Sequence, residues 1–182
     1  MADRKRRVLR TSRLDLVAAT APVLMAEMEG PDALGRLLEA RVGADWPPAL
    51  YDAEALEWSL DQVRADPRFE VWGMRYVVLR DSDAGGPEVV GVAGFKGPPN
   101  GGEVEVGYAI VTAVQRRGLA TEAVHALVDH AFAHDGVVRV VAHTLPDLAP
   151  SLGVLRKAGF RFDGDIEDDG VALGRYARER AP

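Results

Sequence analysis

The spacing of hydrophobic residues along the chain changes near Trp72. Before that point one strand is predicted, over Arg10–Ala18, after which apolar residues recur at helical intervals. This spacing predicts three helices, over Pro22–Glu29, Pro31–Ala40 and Asp52–Ala65, with Asp52 as the N-cap of the third. The N-terminal part of the chain is therefore expected to be mainly helical.

From Trp72 onward, apolar and polar residues alternate, as they do in strands with one buried face. The alternation predicts three strands, over Trp72–Arg80, Glu88–Phe95 and Glu103–Val111. The loops between them are short and rich in turn residues, so the three strands should pair antiparallel.

The C-terminal part of the chain mixes helix and strand. A helix over Gly118–His134 and a buried strand over Val137–Thr144 come next, which makes Glu103–Thr144 a crossover between parallel strands. The remaining predicted elements are a helix over Asp147–Ala158, which Gly159 ends, and two strands, over Phe160–Asp163 and Val171–Ala177. The sequence thus predicts a mixed α/β fold, with a central, largely antiparallel sheet of about six to seven strands flanked by helices.

Length and composition narrow the class of protein. One domain is expected over residues 10–178, between a basic tail at residues 1–9 and a short tail at 179–182. The chain has no cysteine, which excludes disulfides, thiolate metal sites and cysteine nucleophiles. Its formal charge of −6 argues against a nucleic-acid partner. Neither a membrane segment nor a secretory signal is evident, so a cytoplasmic protein is predicted.

The strand Glu103–Val111 carries different chemistry on its two faces, because alternate residues of a strand share a face. The core face is expected to be apolar and to consist of Val104, Val106, Tyr108 and Ile110. The opposite face carries two carboxylates, those of Glu103 and Glu105.

The segment Gln115-Arg116-Arg117-Gly118-Leu119-Ala120 connects this strand to the next helix. Small residues at a helix start let a ligand approach the free backbone N–H groups, and the helix dipole favours an anion. We interpret the segment as a binding site for a pyrophosphate. The alternative is an ordinary helix start with solvated arginines. A Gly-x-Gly-x-x-Gly motif is absent, which argues against a dinucleotide.

Gln115–Ala120 is similar to the Gln/Arg-x-x-Gly-x-Gly/Ala signature of the GCN5-related N-acetyltransferase (GNAT) superfamily, and it lies in the same strand–loop–helix setting. Two later segments, Pro146–Ser151 and Leu155–Phe160, resemble the ribosomal-protein (RimJ/RimL-like) branch of that superfamily. The similarity is sharpest over residues 103–160. It implies a GNAT fold, in which a parallel strand pair splays apart where coenzyme A (CoA) binds.

The resemblance also implies acetyl-CoA as the acyl donor. Backbone amides of Arg116–Ala120, helped by Thr121, would hold its pyrophosphate, and its pantetheine arm would pair along the end of the strand. The residues implied in cofactor binding are Ile110, Val111, Gln115, Arg116, Arg117, Gly118, Leu119, Ala120, Thr121 and Ser151.

The chain departs from the branch at three positions. Leu148 stands where asparagine is usual and Pro150 where alanine is usual, so one contact to CoA is expected to be missing. Leu155 occupies the place of a tyrosine that serves as the acid in many members of the superfamily. Ser151 is the nearest substitute for that tyrosine.

Acyl transfer requires a neutral amine, whereas lysine amines have pKa values near ~10.4 and α-amino groups near ~7.7–8.0. Glu105 is the candidate base, acting directly or through water, and Glu103 is the second candidate. The alternative is that both glutamates face solvent or hold the acceptor. A backbone N–H near Val111 should polarise the thioester oxygen. Ser151 should either donate a hydrogen bond to the leaving thiolate or cap its helix.

The sequence also suggests residues that contact the acceptor. Trp46 and Tyr51 lie in the segment that lines the acceptor pocket in relatives and are candidate substrate contacts, although such aromatics are more often core. The acidic run from Asp163 to Asp169 is interpreted as a solvated loop that attracts a cationic amine. Neutralising Asp168 and Asp169 should then raise the KM for the acceptor.

A metal site is not predicted. His130 and His134 are one helical turn apart, a spacing that can hold a metal, but no third ligand accompanies them in the sequence.

Together these features predict an N-acetyltransferase that moves acetyl from acetyl-CoA to a primary amine by direct attack in a ternary complex. The acceptor would be a small molecule or a protein N-terminus. The alternatives are a non-catalytic acyl-CoA-binding sensor or interaction module on the same fold and a structural relative with a blocked pocket. The oligomeric state is left open, a homodimer included.

Overall fold

The computed structural model describes residues 8–181. Its strands are β1 (Val8–Arg10), β2 (Leu14–Ala18), β3 (Arg41–Val42), β4 (Met74–Leu79), β5 (Glu88–Phe95), β6 (Glu103–Ile110), β7 (Arg139–Thr144), β8 (Arg161–Asp168) and β9 (Val171–Glu179). Its helices are α1 (Ala21–Glu29), α2 (Pro31–Leu38), α3 (Ala53–Ala65), α4 (Phe69–Trp72), α5 (Leu119–Phe132) and α6 (Ala149–Lys157), with a 3₁₀ turn over Thr112–Val114.

The strands form one sheet in the order β1-β2-β4-β5-β6-β7-β9-β8, and β3 pairs with the start of β5. Most neighbours are antiparallel; β6 and β7 are parallel, as are β3 and β5. This confirms the predicted mixed α/β fold with a largely antiparallel sheet. It also confirms the parallel crossover from β6 through α5 to β7.

Two apolar cores cover the two faces of the sheet. One packs α5 and α6 against the central strands and includes Leu16, Val104, Leu127 and Leu155. The other packs α1 and α3 against β4 and β5 and includes Leu24, Leu60 and Tyr76. The central strands β4 and β5 are therefore almost wholly buried, whereas β6 is buried only at alternate positions along its first half.

Two predicted boundaries were wrong. The first strand is a hairpin that begins at Val8, inside the predicted tail, because Val8 and Leu9 pair with Val17 and Leu16. Trp72 ends α4 instead of opening a strand. A Cβ on the next residue, Gly73, would lie 2.4 Å from the carbonyl oxygen of Phe69, so only glycine fits that bend.

The acidic run was also predicted wrongly, because it is a strand and not a loop. Residues 161–168 form β8, and the turn to β9 falls at Asp169 and Gly170, both with positive φ. Asp163 accepts a hydrogen bond from Arg175 of β9 at 2.8 Å, a cross-strand ion pair that the sequence pattern did not reveal.

Candidate active site

The parallel strands β6 and β7 separate partway along their length. Their pairing runs only from Glu103 opposite Arg139 to Glu105 opposite Val141. Beyond that point β6 stays with β5 and β7 stays with β9, which leaves a gap between the two strands. A cavity of about 560 Å³ opens at this gap.

Side chains from both separated strands and from α6 reach the cavity. Glu105 and Tyr108 line it from β6, His143 from β7 and Ser151 from α6. An apolar wall faces them, formed by Leu50, Tyr51, Trp58, Val63, Phe69, Met74, Leu145, Val171 and Leu173. The cavity therefore joins a polar floor to a largely apolar mouth, as small-molecule sites commonly do.

Glu105 and His143 form a pair across the gap. The Nδ1 atom of His143 lies 3.3 Å from Oε1 of Glu105, and neither side chain is fully buried. The Nε2 atom of His143 is buried and has no hydrogen-bond partner within residues 8–181. A carboxylate beside one imidazole nitrogen favours the proton on that nitrogen, which leaves Nε2 as an acceptor. The sequence alone gives no local sign of this pair, because the nearness of His143 to Glu105 depends on where the strands separate.

Glu103, the second candidate base, is placed differently. Its carboxylate accepts a hydrogen bond from Arg175 at 2.5 Å, and Arg175 also binds Asp163 at 2.8 Å. Glu103 is not among the residues that line the cavity. The structure therefore brings Glu105 to the gap and leaves Glu103 in a surface ion-pair network.

Ser151 contacts a tyrosine. Its Oγ lies 3.0 Å from the phenol oxygen of Tyr108, and that phenol is also 3.2 Å from the Ser151 carbonyl oxygen. Burial raises the pKa of Tyr108, so its proton stays in place at neutral pH. The expectation that Ser151 caps its helix was wrong, because Leu148 is the N-cap and Ser151 lies inside the first turn of α6.

The backbone of β6 shows which amides face the gap. The Val111 N–H donates to the carbonyl oxygen of Val90 at 2.9 Å, so it points towards β5. Successive amides of a strand alternate in direction, and the N–H of Ile110 therefore points towards the gap. The Ile110 carbonyl oxygen lies on the same side and accepts from Nε2 of Gln115 at 2.8 Å. Of the two amides, only that of Ile110 therefore faces the gap.

The predicted pyrophosphate loop leads from this strand into α5. Arg116 and Gly118 both have positive φ, of 63° and 80°. Gly118 is the N-cap of the 14-residue helix α5 and supplies no side chain there. The first-turn amides of Leu119, Ala120 and Thr121 are thus unobstructed donors at the positive end of the helix dipole. Arg117 points away and pairs with Asp83 at 2.8 Å.

Glu122 connects the loop before α5 to the turn between β1 and β2. Its carboxylate accepts from the Thr11 hydroxyl at 2.5 Å, the Ser12 hydroxyl at 3.0 Å and the Arg13 amide at 2.9 Å. Arg13 also donates to Glu122 Oε2 at 2.7 Å and to the Arg117 carbonyl oxygen at 3.0 Å. Glu122 therefore ties the turn between β1 and β2 to the start of α5.

Glu122→Gln should destabilise the protein at neutral pH and by less in acid. Burial alone would raise the pKa of Glu122, but the hydrogen bonds from Thr11, Arg13 and Ser12 lower it from 4.5 to about 2. A depressed pKa stabilises the fold above pH ~4.5, and the effect is lost as the pH falls towards 2. We expect a loss of about 2 kcal/mol at pH 7, after screening of the partly solvated carboxylate.

Urea unfolding of both proteins at pH 7 and pH 3.5 measures this loss. Glu57→Gln, at an exposed position of α3, is the matched control and should change the stability little at either pH. A Glu122→Gln loss that is as large at pH 3.5 as at pH 7 would contradict the assignment.

The predicted substrate contacts Trp46 and Tyr51 share a partly buried carboxylate, that of Glu27. Trp46 Nε1 and the Tyr51 hydroxyl each donate to Glu27 at 2.8 Å, and the Tyr76 hydroxyl donates at 2.5 Å. Tyr51 lines the cavity, whereas Trp46 is not among the lining residues. Trp46 thus helps to hold the wall in place, and contact with a substrate remains a prediction for Tyr51 only.

The histidines at helical spacing pack on each other and on an aromatic ring. His134 Nδ1 lies 2.9 Å from the His130 carbonyl oxygen, and both imidazoles contact Trp72. Burial, with Arg75 nearby, lowers the pKa of His130 to about 4. In the part of the chain that the structure describes, no three His, Cys, Asp or Glu side chains form a group that could hold a metal ion.

Within residues 8–181, no helix is long and apolar enough to span a bilayer.

Comparison with known proteins identifies the family. The acetyltransferase (GNAT) domain model matches residues 26–161. An uncharacterised N-acetyltransferase of Bacillus subtilis, YjdG, is 28% identical over 157 residues, which cover 84% of this chain and 89% of that protein. Another, p20 of Bacillus licheniformis, is 30% identical over 100 residues, and that match spans only 54% of each protein.

Solved structures show the same fold. The RimL ribosomal L7/L12 α-N-protein acetyltransferase in complex with coenzyme A superposes with a TM-score of 0.66, at 21% identity, over 94% of this chain and 97% of that one. At this identity the likeness is one of fold. Since the family model spans most of the chain and includes both separated strands and the loop before α5, the chain belongs to the GNAT acetyltransferase family.

Proposed function

We propose that this protein transfers an acetyl group from acetyl-CoA to the nitrogen of a primary amine. The observation that carries the proposal is the position of Glu105, on the floor of the cavity where β6 and β7 separate. Sequence relatives named as N-acetyltransferases support the same reaction.

The residues present fit acetyl-CoA. Its pyrophosphate needs anion-binding donors, and the N-terminus of α5 offers backbone amides with no side chain at Gly118 to block them. Its extended arm needs unpaired strand edge, which β6 provides between Glu105 and Ile110. Bound there, acetyl-CoA supplies a thioester carbonyl whose carbon can be attacked by an amine.

The side chains at the gap account for the proton movements. The new N–C bond forms as the C–S bond breaks, so the amine must lose a proton and the thiolate must gain one. Glu105 is assigned the first task, with His143 holding its carboxylate at 3.3 Å. Ser151 is assigned the second, because its hydroxyl lies beside Tyr108, whose phenol can supply a replacement proton.

Release of free thiol from acetyl-CoA, followed in the presence of a panel of primary amines, tests the proposal directly. We expect thiol release that depends on the amine, together with a product carrying one acetyl group on nitrogen. Binding of acetyl-CoA without release for any amine would instead indicate a non-catalytic acyl-CoA-binding module. Absence of binding would refute the proposed function altogether.

The two acidic residues at the end of the β8–β9 hairpin should differ in their effect on the acceptor. Asp168 lines the cavity, whereas Asp169 is in the turn and does not. Asp168→Asn should raise the KM for a cationic amine roughly 3- to 10-fold at low salt and less at 0.5 M salt, because exposed charges are screened.

Asp169→Asn is the matched control, since it removes the same charge one residue further along. Its KM should stay close to that of the wild type. Equal increases for the two variants, or none for Asp168→Asn at low salt, would remove Asp168 from the acceptor site.

A further inference from the structure

The mouth of the cavity is apolar and exposed. Leu50 is 87% exposed and Trp58 46% exposed, and both line the cavity together with Val171 and Leu145. Exposed apolar side chains grouped around one opening are typical of a binding site. Helix α3 contributes a continuous face to this wall, because Ala55, Trp58, Ser59 and Val63 lie one turn apart.

The backbone at Leu50 supports this view of the mouth. Leu50 has φ of 65°, a left-handed conformation that is unfavourable for a residue other than glycine. The strained residue places a large apolar side chain in solvent at the edge of the cavity. Strain of this kind tends to be retained at functional sites.

A single lysine stands on the polar floor beside this wall. Lys96 lines the cavity, and its backbone N–H donates to the carbonyl oxygen of Glu105 at 3.0 Å. A Cβ on Gly107 would lie only 3.5 Å from Cε of Lys96, so the lysine stem crosses β6 over the space that glycine leaves. Among residues 8–181, the Lys96 ammonium is in no ion pair.

The charges at the cavity are therefore of both signs. Glu105 and Asp168 contribute carboxylates to the cavity lining, and Lys96 contributes an ammonium group. A polyamine or an aminoglycoside carries several positive charges but no carboxylate that could pair with Lys96. A zwitterion suits the arrangement, with its ammonium near Glu105 and its carboxylate on Lys96.

We propose that the acceptor is a free α-amino acid with a large apolar side chain, held by its carboxylate on Lys96 and by its side chain against Trp58 and Phe69. This inference rests on the proposed acetyl transfer and names its substrate class. The two aromatic rings pack edge to face at 6.1 Å, which gives a firm wall for an apolar group.

Pairs of amines that differ only in the carboxylate test the proposal. Phenylalanine is compared with phenethylamine, and leucine with 3-methylbutylamine, in the thiol-release assay with wild type, Lys96→Met and Lys96→Arg. We expect the wild type to use each amino acid at least 10-fold better, in kcat/KM, than its decarboxylated partner. Lys96→Met should remove that preference by raising the KM for the amino acids alone, and Lys96→Arg should restore most of it.

The decarboxylated amines serve as the internal control, because a general defect in Lys96→Met would slow both members of a pair equally. Wild-type use of phenethylamine as readily as phenylalanine, or a preference for spermidine, an aminoglycoside or a peptide N-terminus, overturns the inference and leaves acetyl transfer standing. Binding of acetyl-CoA with no turnover of any amino acid also overturns it. Failure to bind acetyl-CoA refutes the proposed function itself.

Discussion

Replacing Gly118 by glutamate is expected to abolish the binding of acetyl-CoA. Gly118 is the N-cap of α5, and the free amides of the first turn of that helix are the proposed pyrophosphate site. A carboxylate at this position would face a ligand with negative charges at short distance. Isothermal titration should show a loss of affinity of 100-fold or more, which corresponds to roughly 3 kcal/mol.

Backbone strain must be separated from charge in this experiment. Gly118 has φ of 80°, so any side chain costs about 1–2 kcal/mol there. A Cβ would meet only Arg13 Nη2, at an ordinary 3.6 Å, so steric overlap with the protein is not the cause of any effect. Gly118→Gln has the same shape as Gly118→Glu without the charge and is the matched control.

We expect Gly118→Gln to weaken binding by a smaller factor than Gly118→Glu. The difference between them should shrink at high salt, as expected for a repulsion between charges. Equal affinities for the glutamine and glutamate variants would show that no phosphate lies at this helix end. Wild-type affinity in both variants would place the cofactor elsewhere.

The sequence predicted the central part of the fold well because local signals agreed with one another there. The alternation in Glu103–Val111 predicted a strand with one apolar face, and the structure buries Val104, Val106 and Ile110 on β6. Gly159 was expected to end a helix and lies directly after α6 with φ of 82°. Regular periodicity and a required glycine are both properties of short segments, so they can be recognised without tertiary information.

The parts that failed depended on contacts between distant segments. The acidic run from Asp163 to Asp169 was predicted to be a solvated loop, yet cross-strand pairing with β9 makes residues 163–168 part of a strand. Tyr108 packs against the core as predicted, but the sequence did not predict that its hydroxyl contacts Ser151, which is 43 residues away in sequence. Neither contact leaves a periodic signal in the sequence.

The same distinction explains which site residues the sequence could suggest. The loop before α5 is a local motif, and its expected geometry follows from its own glycine and the helix it opens. The pairing of Glu105 with His143 depends on where β6 and β7 separate, which is set by the whole sheet. Sequence alone could therefore identify both glutamates of β6 but could not indicate that only Glu105 lines the cavity.

Glu105→Gln is expected to lower kcat/KM for the acceptor amine by roughly 10²- to 10⁴-fold, the usual contribution of a general base. The amide has nearly the same shape as the carboxylate but cannot take a proton. Affinity for acetyl-CoA should be almost unchanged, because the loop before α5 is not altered. The defect should become smaller at alkaline pH, where more of the amine is already neutral.

Glu103→Gln is the control for this prediction, because it removes the same charge two residues away on the same face of β6. The Glu103 carboxylate of the wild type is bound to Arg175 at 2.5 Å and is outside the cavity lining. We therefore expect Glu103→Gln to lower kcat/KM by less than 10-fold. A larger loss for Glu103→Gln than for Glu105→Gln would transfer the role of base to Glu103. Small losses for both variants would mean that the amine reaches the cavity already neutral, or that water alone removes its proton.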